Sequence, residues 1–228
     1  MSSTASAYGI RIPRLIAPPG VYRPQGDTLL LADALAQEPL EPGAQVMEIG
    51  TGTGALALHA AARGARVTAV DVSWRAVLAA RLNGLRERLP LRVRHGDFAA
   101  HAGGGGFDLV LANPPYVPSP DARVPIRGAR RAWDAGTDGR HVIDRICTAA
   151  PALLAPGGVL LMVHSGMCGP DTTLELLTRQ GLAPQVVRRV SVPWGPVLRS
   201  RAAWLRKQGL AGEGPELEEL VVIRAERP

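Results

Sequence analysis

From Gln45 onward the chain alternates short apolar runs with longer amphipathic ones, the pattern of βα units wound around a largely parallel sheet. The runs predict strands over Val46–Ile49, Val67–Val70, Leu91–Arg94, Phe107–Leu111 and Val159–Val163, and two more over Gln185–Val192 and Leu217–Ile223. Helix periodicity falls on Ala55–Ala62, on Trp74–Leu89 with Ser73 as its N-cap, on Asp138–Leu154 with Pro156-Gly157-Gly158 as its stop, and on Thr172–Gln180. Ahead of the first strand, Asp27-Thr28 opens a further helix-like stretch, Leu29–Gln37. Pro193–Pro215, with Arg199, Arg201 and Arg206, reads equally as an ordered excursion or a loose loop, and the Gly103–Gly106 run as a flexible connection.

The strongest local signal lies where the first strand runs into Gly50-Thr51-Gly52-Thr53-Gly54 and a helix. Glycines there let the backbone turn with positive φ and let a ligand lie against the main chain. With Ala55 they also satisfy G-x-G-x-x-A, so the loop alone leaves a dinucleotide, and hence an NAD(P)-dependent oxidoreductase, open. Asp71, ending the second strand, is placed to accept from both hydroxyls of a ribose. Asp97, ending the third, can accept from an adenine amine, with Phe98 beside it offering an N–H and an apolar face. Glu48 suits an ammonium group better than a pyrophosphate, which counts against phosphate in the loop.

The fourth strand leads into Asn113-Pro114-Pro115-Tyr116. Two prolines fix the backbone and remove N–H donors. An Asn oxygen beside the Pro114 carbonyl then makes a pair of acceptors suited to an NH2 group, and Tyr116 supplies a flat face for a planar substrate.

A glycine loop, strand-end acids and Asn-Pro-Pro-Tyr in this order resemble the class I S-adenosylmethionine-dependent methyltransferases, and within them the release-factor glutamine methyltransferase, or HemK-type, family. Tyr22-Arg23-Pro24-Gln25-Gly26-Asp27-Thr28 resembles the segment that in this family lies over the cofactor, and Trp133–Gly139 the Gly/Asp stretch after Asn-Pro-Pro-Tyr. The resemblance implies a Rossmann-like α/β fold whose seven-stranded, mostly parallel sheet has a C-terminal antiparallel strand and helices on both faces. It implies a lid segment and first helix over residues 1–44 and a methyltransferase core over 45–228, one domain overall. S-adenosyl-L-methionine would be the cofactor, with Glu48, Gly50, Thr51, Gly52 and Gly54 at its methionine portion, Asp71 and Val72 at the ribose, and Asp97 and Phe98 at the adenine. Tyr22 and Thr28 would cover it and Asn113 would touch it as well, while Asn113 and Pro114 would hold the target NH2 and Tyr116 would pack on its plane. Longer bacterial members add a helical N-terminal domain; with about 44 residues before its first strand, this chain resembles the short archaeal and eukaryotic branch. That branch often works with a small zinc-binding activator subunit and usually has an acidic residue where Gly26 stands.

The expected reaction is therefore N-methylation of a planar NH2, foremost a glutamine side-chain amide in a protein such as a translation release factor. The alternatives are an exocyclic amine of adenine or guanine in nucleic acid, a small molecule, or a cofactor-binding protein without turnover. Base flipping on duplex DNA would call for a target-recognition segment, and none is visible.

Composition adjusts this picture. A net charge of +6 with pI near 10.3 would ordinarily suggest a polyanion partner. Of the 26 basic residues, however, only Lys207 is a lysine, an arginine skew that reads as GC-rich codon usage. Arg123, Arg127, Arg130 and Arg131 follow the Asn-Pro-Pro-Tyr stretch and would border the substrate mouth, as solvated surface or as a dock for acidic protein or RNA phosphate. Cys147 and Cys168 fit neither a disulfide framework nor a zinc site, and the five histidines lack metal spacing, so no metal is expected. Met1–Pro24 carries no secretory signal, and the longest apolar stretch, Ala152–Val163, is too short for a membrane span; a cytoplasmic enzyme is expected.

Overall fold

A computed structural model describes residues 13–228; the first twelve residues of the expected lid segment, and of the stretch read for a secretory signal, lie outside the described part. Seven strands form one sheet in the order β3-β2-β1-β4-β5-β7-β6. They are β1 (Gln45–Ile49), β2 (Arg66–Asp71), β3 (Leu91–His95), β4 (Phe107–Ala112), β5 (Leu154–Ser165), β6 (Ala183–Pro193) and β7 (Leu217–Glu226). β1 to β5 pair in parallel, and β7 alone runs antiparallel, between β5 and β6. The apolar runs are strands because the middle of a parallel sheet is covered on both faces: Val46, Met47, Val110, Leu111, Leu160 and Leu161 are fully buried.

The helices are α1 (Gly26–Gln37), α2 (Ala55–Ala62), α3 (Trp74–Glu87), α4 (His141–Leu153), α5 (Pro170–Arg179), α6 (Pro196–Ser200) and α7 (Ala202–Lys207). From β1 the chain steps to β2 and β3 on one side, and from β4 to β5 on the other. Right-handed crossovers therefore place α2 and α3 on one face and α4 on the opposite face. α1 packs against α2 and across β5, β6 and β7, and α5 packs beside α4. This reversal of strand order between β1 and β4 opens a crevice at the carboxyl ends of both strands, the place where open α/β sheets bind ligands.

Several boundaries differ from expectation, each for a local reason. α3 stops at Glu87 because Arg88 is left-handed (φ 56°), with its N–H and that of Leu89 returning to Leu85 and Gly84. Ser73 stands at the N-cap position, yet its side chain makes no capping bond. Pro156-Gly157-Gly158 is a bulge inside β5 rather than a helix stop, since Leu154 already pairs with Phe107 before the register shifts to Leu109 and Val159. The Gly103–Gly106 connection is taken up in part by a 3-10 turn over Phe98–Gly104. α4 begins only at His141, after Gly139, whose φ of +74° and contact with the Tyr116 carbonyl leave no room for a Cβ.

Pro193–Pro215 is an ordered excursion. α6 and α7 close a small apolar cluster of Trp194, Leu198 and Leu205 that packs on Val117, just beyond the Asn-Pro-Pro-Tyr stretch. Arg201 donates to the Pro118 carbonyl (2.8 Å) and brings its guanidinium within 2.6 Å of the buried Asp134 carboxylate. Along α3, Trp74, Leu78, Leu82 and Leu85 recur at helical spacing and are exposed.

Candidate active site

A cleft opens at the β1/β4 reversal, floored by the glycine loop and roofed by the chain that leads into α1. Gly50, Gly52 and Gly54 all have positive φ (68°, 55° and 82°), as the strand-to-helix turn requires. A Cβ on Gly50 would meet nothing within 4 Å, so the loop presents bare backbone to open space. Overhead, the Tyr22 carbonyl lies 3.8 Å from where a Gly52 Cβ would stand. The roof is fixed to α3 by Asn83, which accepts from Ile16 N–H (2.8 Å) and donates to Ile16 O (3.0 Å), and by Arg75, which donates to Pro19 O (3.2 Å).

Two carboxylates face this cleft from the strand ends. Glu48 is 3% exposed and accepts from the Thr51 hydroxyl and from Ala57 N–H (3.0 Å), so it also caps α2. Burial pushes its carboxyl up to about 8, against the pull of those hydrogen bonds. Asp71 accepts from Gly52 N–H (3.0 Å) and Ser73 N–H (2.8 Å); burial raises its carboxyl, opposed by these two bonds and by Arg131 and His95. Asp71 thus ties the glycine loop to the end of β2, and Val72 beside it lines the cleft.

The third wall is Asn113-Pro114-Pro115-Tyr116. Just after it, Val117 N–H donates to Trp133 O (2.8 Å), Ala135 N–H to Val117 O (3.1 Å) and Ser119 N–H to Gly136 O (2.9 Å), so the two stretches singled out in the sequence zip together. Tyr116 is buried, its carbonyl takes the Cys168 thiol, and its hydroxyl donates to Asp27 (3.1 Å). Tyr22 donates to the same Asp27 oxygen (2.8 Å). Burial and the neighbouring Asp27 raise both phenols far above their ordinary range, which keeps them donors.

Glu48, Gly50, Thr51, Gly52, Asp71, Val72, Tyr22, Thr28, Asn113, Pro114 and Tyr116 are thus brought to one cleft, with Gly54 just behind as the left-handed residue that opens α2. Asp97 and Phe98 stand one strand further out and do not line it. Asp97 accepts from Ala99 N–H (3.0 Å) and pairs with Arg145 (2.7 Å), which holds its carboxyl down despite partial burial. Phe98 is buried, with the Arg145 guanidinium 5.2 Å from its ring centroid. Among the four arginines, Arg123 and Arg127 are exposed, Arg130 pairs with Asp134 (2.7 Å) and only Arg131 lines the cleft.

Sequence reading missed Asp27 as a hub, because an acid before an apolar-periodic stretch reads as a helix start. It also missed Glu218, a buried β7 carboxyl that burial lifts to about 7 and whose charge is felt by Tyr22 and Tyr116. The one pointer to Asp27 was its place inside the Tyr22–Thr28 stretch that carries the family resemblance.

Residues 14–127 match the family model described as the methyltransferase small domain. A chain of Methanocaldococcus jannaschii, assigned as a protein N5-glutamine methyltransferase, is 31% identical over 77% of this chain and 88% of its own length. The chain belongs to the HemK-type methyltransferase family. This enzyme family also includes the release factor glutamine methyltransferase of Geobacter sulfurreducens, 33% identical over 73% of this chain; the match spans 60% of that longer protein. Among solved structures, the Encephalitozoon cuniculi Mtq2-Trm112 complex, responsible for methylation of the eRF1 termination factor, has the same fold. Its TM-score is 0.64 at 24% identity, covering 92% of this chain and 99% of that one. The Rossmann-like methyltransferase fold with a C-terminal antiparallel strand is therefore as expected.

Proposed function

We propose that this HemK-type enzyme transfers a methyl group from S-adenosyl-L-methionine to the side-chain amide nitrogen of a glutamine in a translation release factor. The observation that carries the reading is the acceptor wall: Asn113 and Pro114 line the cleft at the end of β4, the strand next to the one that leads into the glycine loop, and there the prolines leave carbonyl acceptors and no N–H donors. The names of the M. jannaschii and G. sulfurreducens relatives agree with a glutamine acceptor.

The cleft suits a cationic nucleoside cofactor. A buried carboxyl, Glu48, stands near the end of the strand that leads into the bare, open backbone of Gly50, where a methionine ammonium is wanted and a pyrophosphate is not. In this reading Glu48, Gly50, Thr51, Gly52 and Gly54 hold the methionine portion, and Asp71 with Val72 the ribose. Tyr22 and Thr28 belong to the roof, and the adenine reaches past the cleft lining toward Asp97 and Phe98, one strand further out. When bound, the cofactor supplies an activated sulfonium methyl, so no strong base is required of the protein.

An amide nitrogen is a weak nucleophile because its lone pair is delocalised. Asn113 Oδ1 and the Pro114 carbonyl, accepting both N–H protons, favour a more tetrahedral nitrogen and so stabilise the transition state more than the ground state. Holding that nitrogen in line is worth roughly 7 to 11 kcal/mol in favourable cases. The Tyr116 ring, immobilised through its hydroxyl and carbonyl, gives the amide a flat surface.

A small activator subunit completes the proposal. The exposed Trp74-Leu78-Leu82-Leu85 stripe is the kind of surface a partner covers, and the structural neighbour is itself a complex. No described helix is long and apolar enough to cross a membrane, and a release-factor substrate goes with a cytoplasmic setting.

Incubation with methyl-labelled cofactor and native lysate, with and without nuclease, tests the acceptor. Label is expected in a release-factor peptide containing Gly-Gly-Gln and unchanged by nuclease; label lost with the nucleic acid overturns the reading. For the cofactor assignment, Asp71→Ala is expected to weaken binding by about two orders of magnitude or more in calorimetry, because it removes the ribose acceptor and frees Gly52. Unchanged affinity would refute the ribose role.

A further inference from the structure

Asp27, Thr28 and Asn113 form a hydrogen-bond relay with a fixed direction. The Asp27 carboxylate accepts four bonds: from Tyr22 OH (2.8 Å), Tyr116 OH (3.1 Å), Thr28 N–H (2.6 Å) and Thr28 OH (3.2 Å). The single hydroxyl proton of Thr28 is thereby spent on Asp27, and what Thr28 Oγ1 has left is lone pairs. Asn113 meets that oxygen with its Nδ2, at 3.3 Å. An asparagine amide that turns its NH2 toward Thr28 turns its Oδ1 the other way.

We infer that Thr28 is a positioning residue for the acceptor amide, polarised by Asp27 so that Asn113 presents oxygen, and not NH2, to the substrate nitrogen. The inference rests on the proposed role of Asn113 and changes that of Thr28, which acts through Asn113 and not on the cofactor. It also explains why the site selects a donor such as an amide NH2: Asn113 Oδ1 and the Pro114 carbonyl both accept. If the amide turned over about its Cβ–Cγ bond, one acceptor would become a donor facing the substrate's own N–H groups. Thr28 is buried, as is Asp27, so water does not compete for the relay.

The sequence contains two asparagines, Asn83 and Asn113, which makes the relay directly observable. In protein labelled with 15N-asparagine, the side-chain NH2 of Asn83, held by the carbonyls of Ile16 and Thr53, serves as a reference for folding. Thr28→Val, nearly isosteric but without a hydroxyl, is expected to shift the Asn113 NH2 signals and speed their hydrogen exchange while those of Asn83 stay unchanged. Its kcat should fall about 10- to 100-fold, the usual cost of misplacing a reacting group, with cofactor Kd within about threefold. Thr28→Ser should recover kcat to within about threefold, and Thr28→Ala, which leaves space in place of a methyl, repeats the loss if valine crowds the site. Unmoved Asn113 signals, or a kcat loss matched by an equal loss of cofactor affinity, would overturn the inference. Wild-type protein that fails to methylate the release factor would sink the acceptor proposal instead, leaving the NMR comparison to decide the relay.

Discussion

Asn113→Ala is expected to lose methyl transfer by about a thousandfold, the scale seen when a preorganised hydrogen-bonding group at a reacting centre is removed, while cofactor Kd changes no more than a few fold. Two measurements separate these effects, a tritiated-methyl transfer assay and calorimetry with the cofactor. Their difference follows from the hold on Asn113: its amide is held by Thr28, not by the residues proposed to hold the methionine and ribose portions. Truncation leaves the Pro114 carbonyl as the single acceptor, so a bound amide would pivot about one hydrogen bond. Asn113→Asp is a sharper variant of the same test. It keeps the acceptor but cannot donate to Thr28, so it should retain more activity than alanine and less than wild type. Turnover close to wild type in Asn113→Ala would remove this residue from the reaction.

Binding of the cofactor at pH 7 should release close to one proton. With its carboxyl lifted to about 8 by burial, Glu48 is mostly protonated at pH 7 in the free protein. A methionine ammonium placed against it favours the charged form, and the proton departs. Calorimetry in buffers of differing ionisation enthalpy reads this number directly; Glu48→Gln should bring it near zero and weaken binding by about a hundredfold, as when one member of a buried charge pair is lost. Stability carries a matching signature. Because the folded-state value lies above the ordinary 4.5, the contribution of Glu48 to stability is present below about 4.5 and is lost as pH rises through about 8. Glu48→Gln should therefore raise the melting temperature of the cofactor-free protein more at pH 8 than at pH 5. Proton release that survives the substitution would reassign the ammonium to another group.

What was legible in the sequence was whatever a local pattern controls. Val67–Val70 and Val159–Val163 read as strands because parallel strands covered on both faces are apolar throughout. Gly50, Gly52 and Gly54 read as a turn because positive φ excludes other residues. That Glu48 and Asp71 share one cleft was legible too, since they sit on adjacent strands near their carboxyl ends, whereas Asp97 at the end of β3 does not line it. Contacts that close over long separations were invisible. Tyr116 meets Asp27 from 89 residues away, and nothing local marks either as the other's partner. Trp194, Leu198 and Leu205 are too few and too interrupted by proline and glycine to announce a cluster, although they order the whole segment between β6 and β7. The bulge at Pro156-Gly157-Gly158 was hidden for the opposite reason, because a helix stop and a strand bulge call for the same residues.

One carboxylate oxygen of Asp27 takes both the Tyr22 hydroxyl from the roof and the Tyr116 hydroxyl from the acceptor wall. The roof over the glycine loop cannot lift without withdrawing Tyr22 from the carboxylate that also steadies Tyr116 and, through Thr28, Asn113. The two sides of the cleft therefore share one fastening, and a change that loosens the roof at Tyr22 also loosens the support of the acceptor wall at Tyr116.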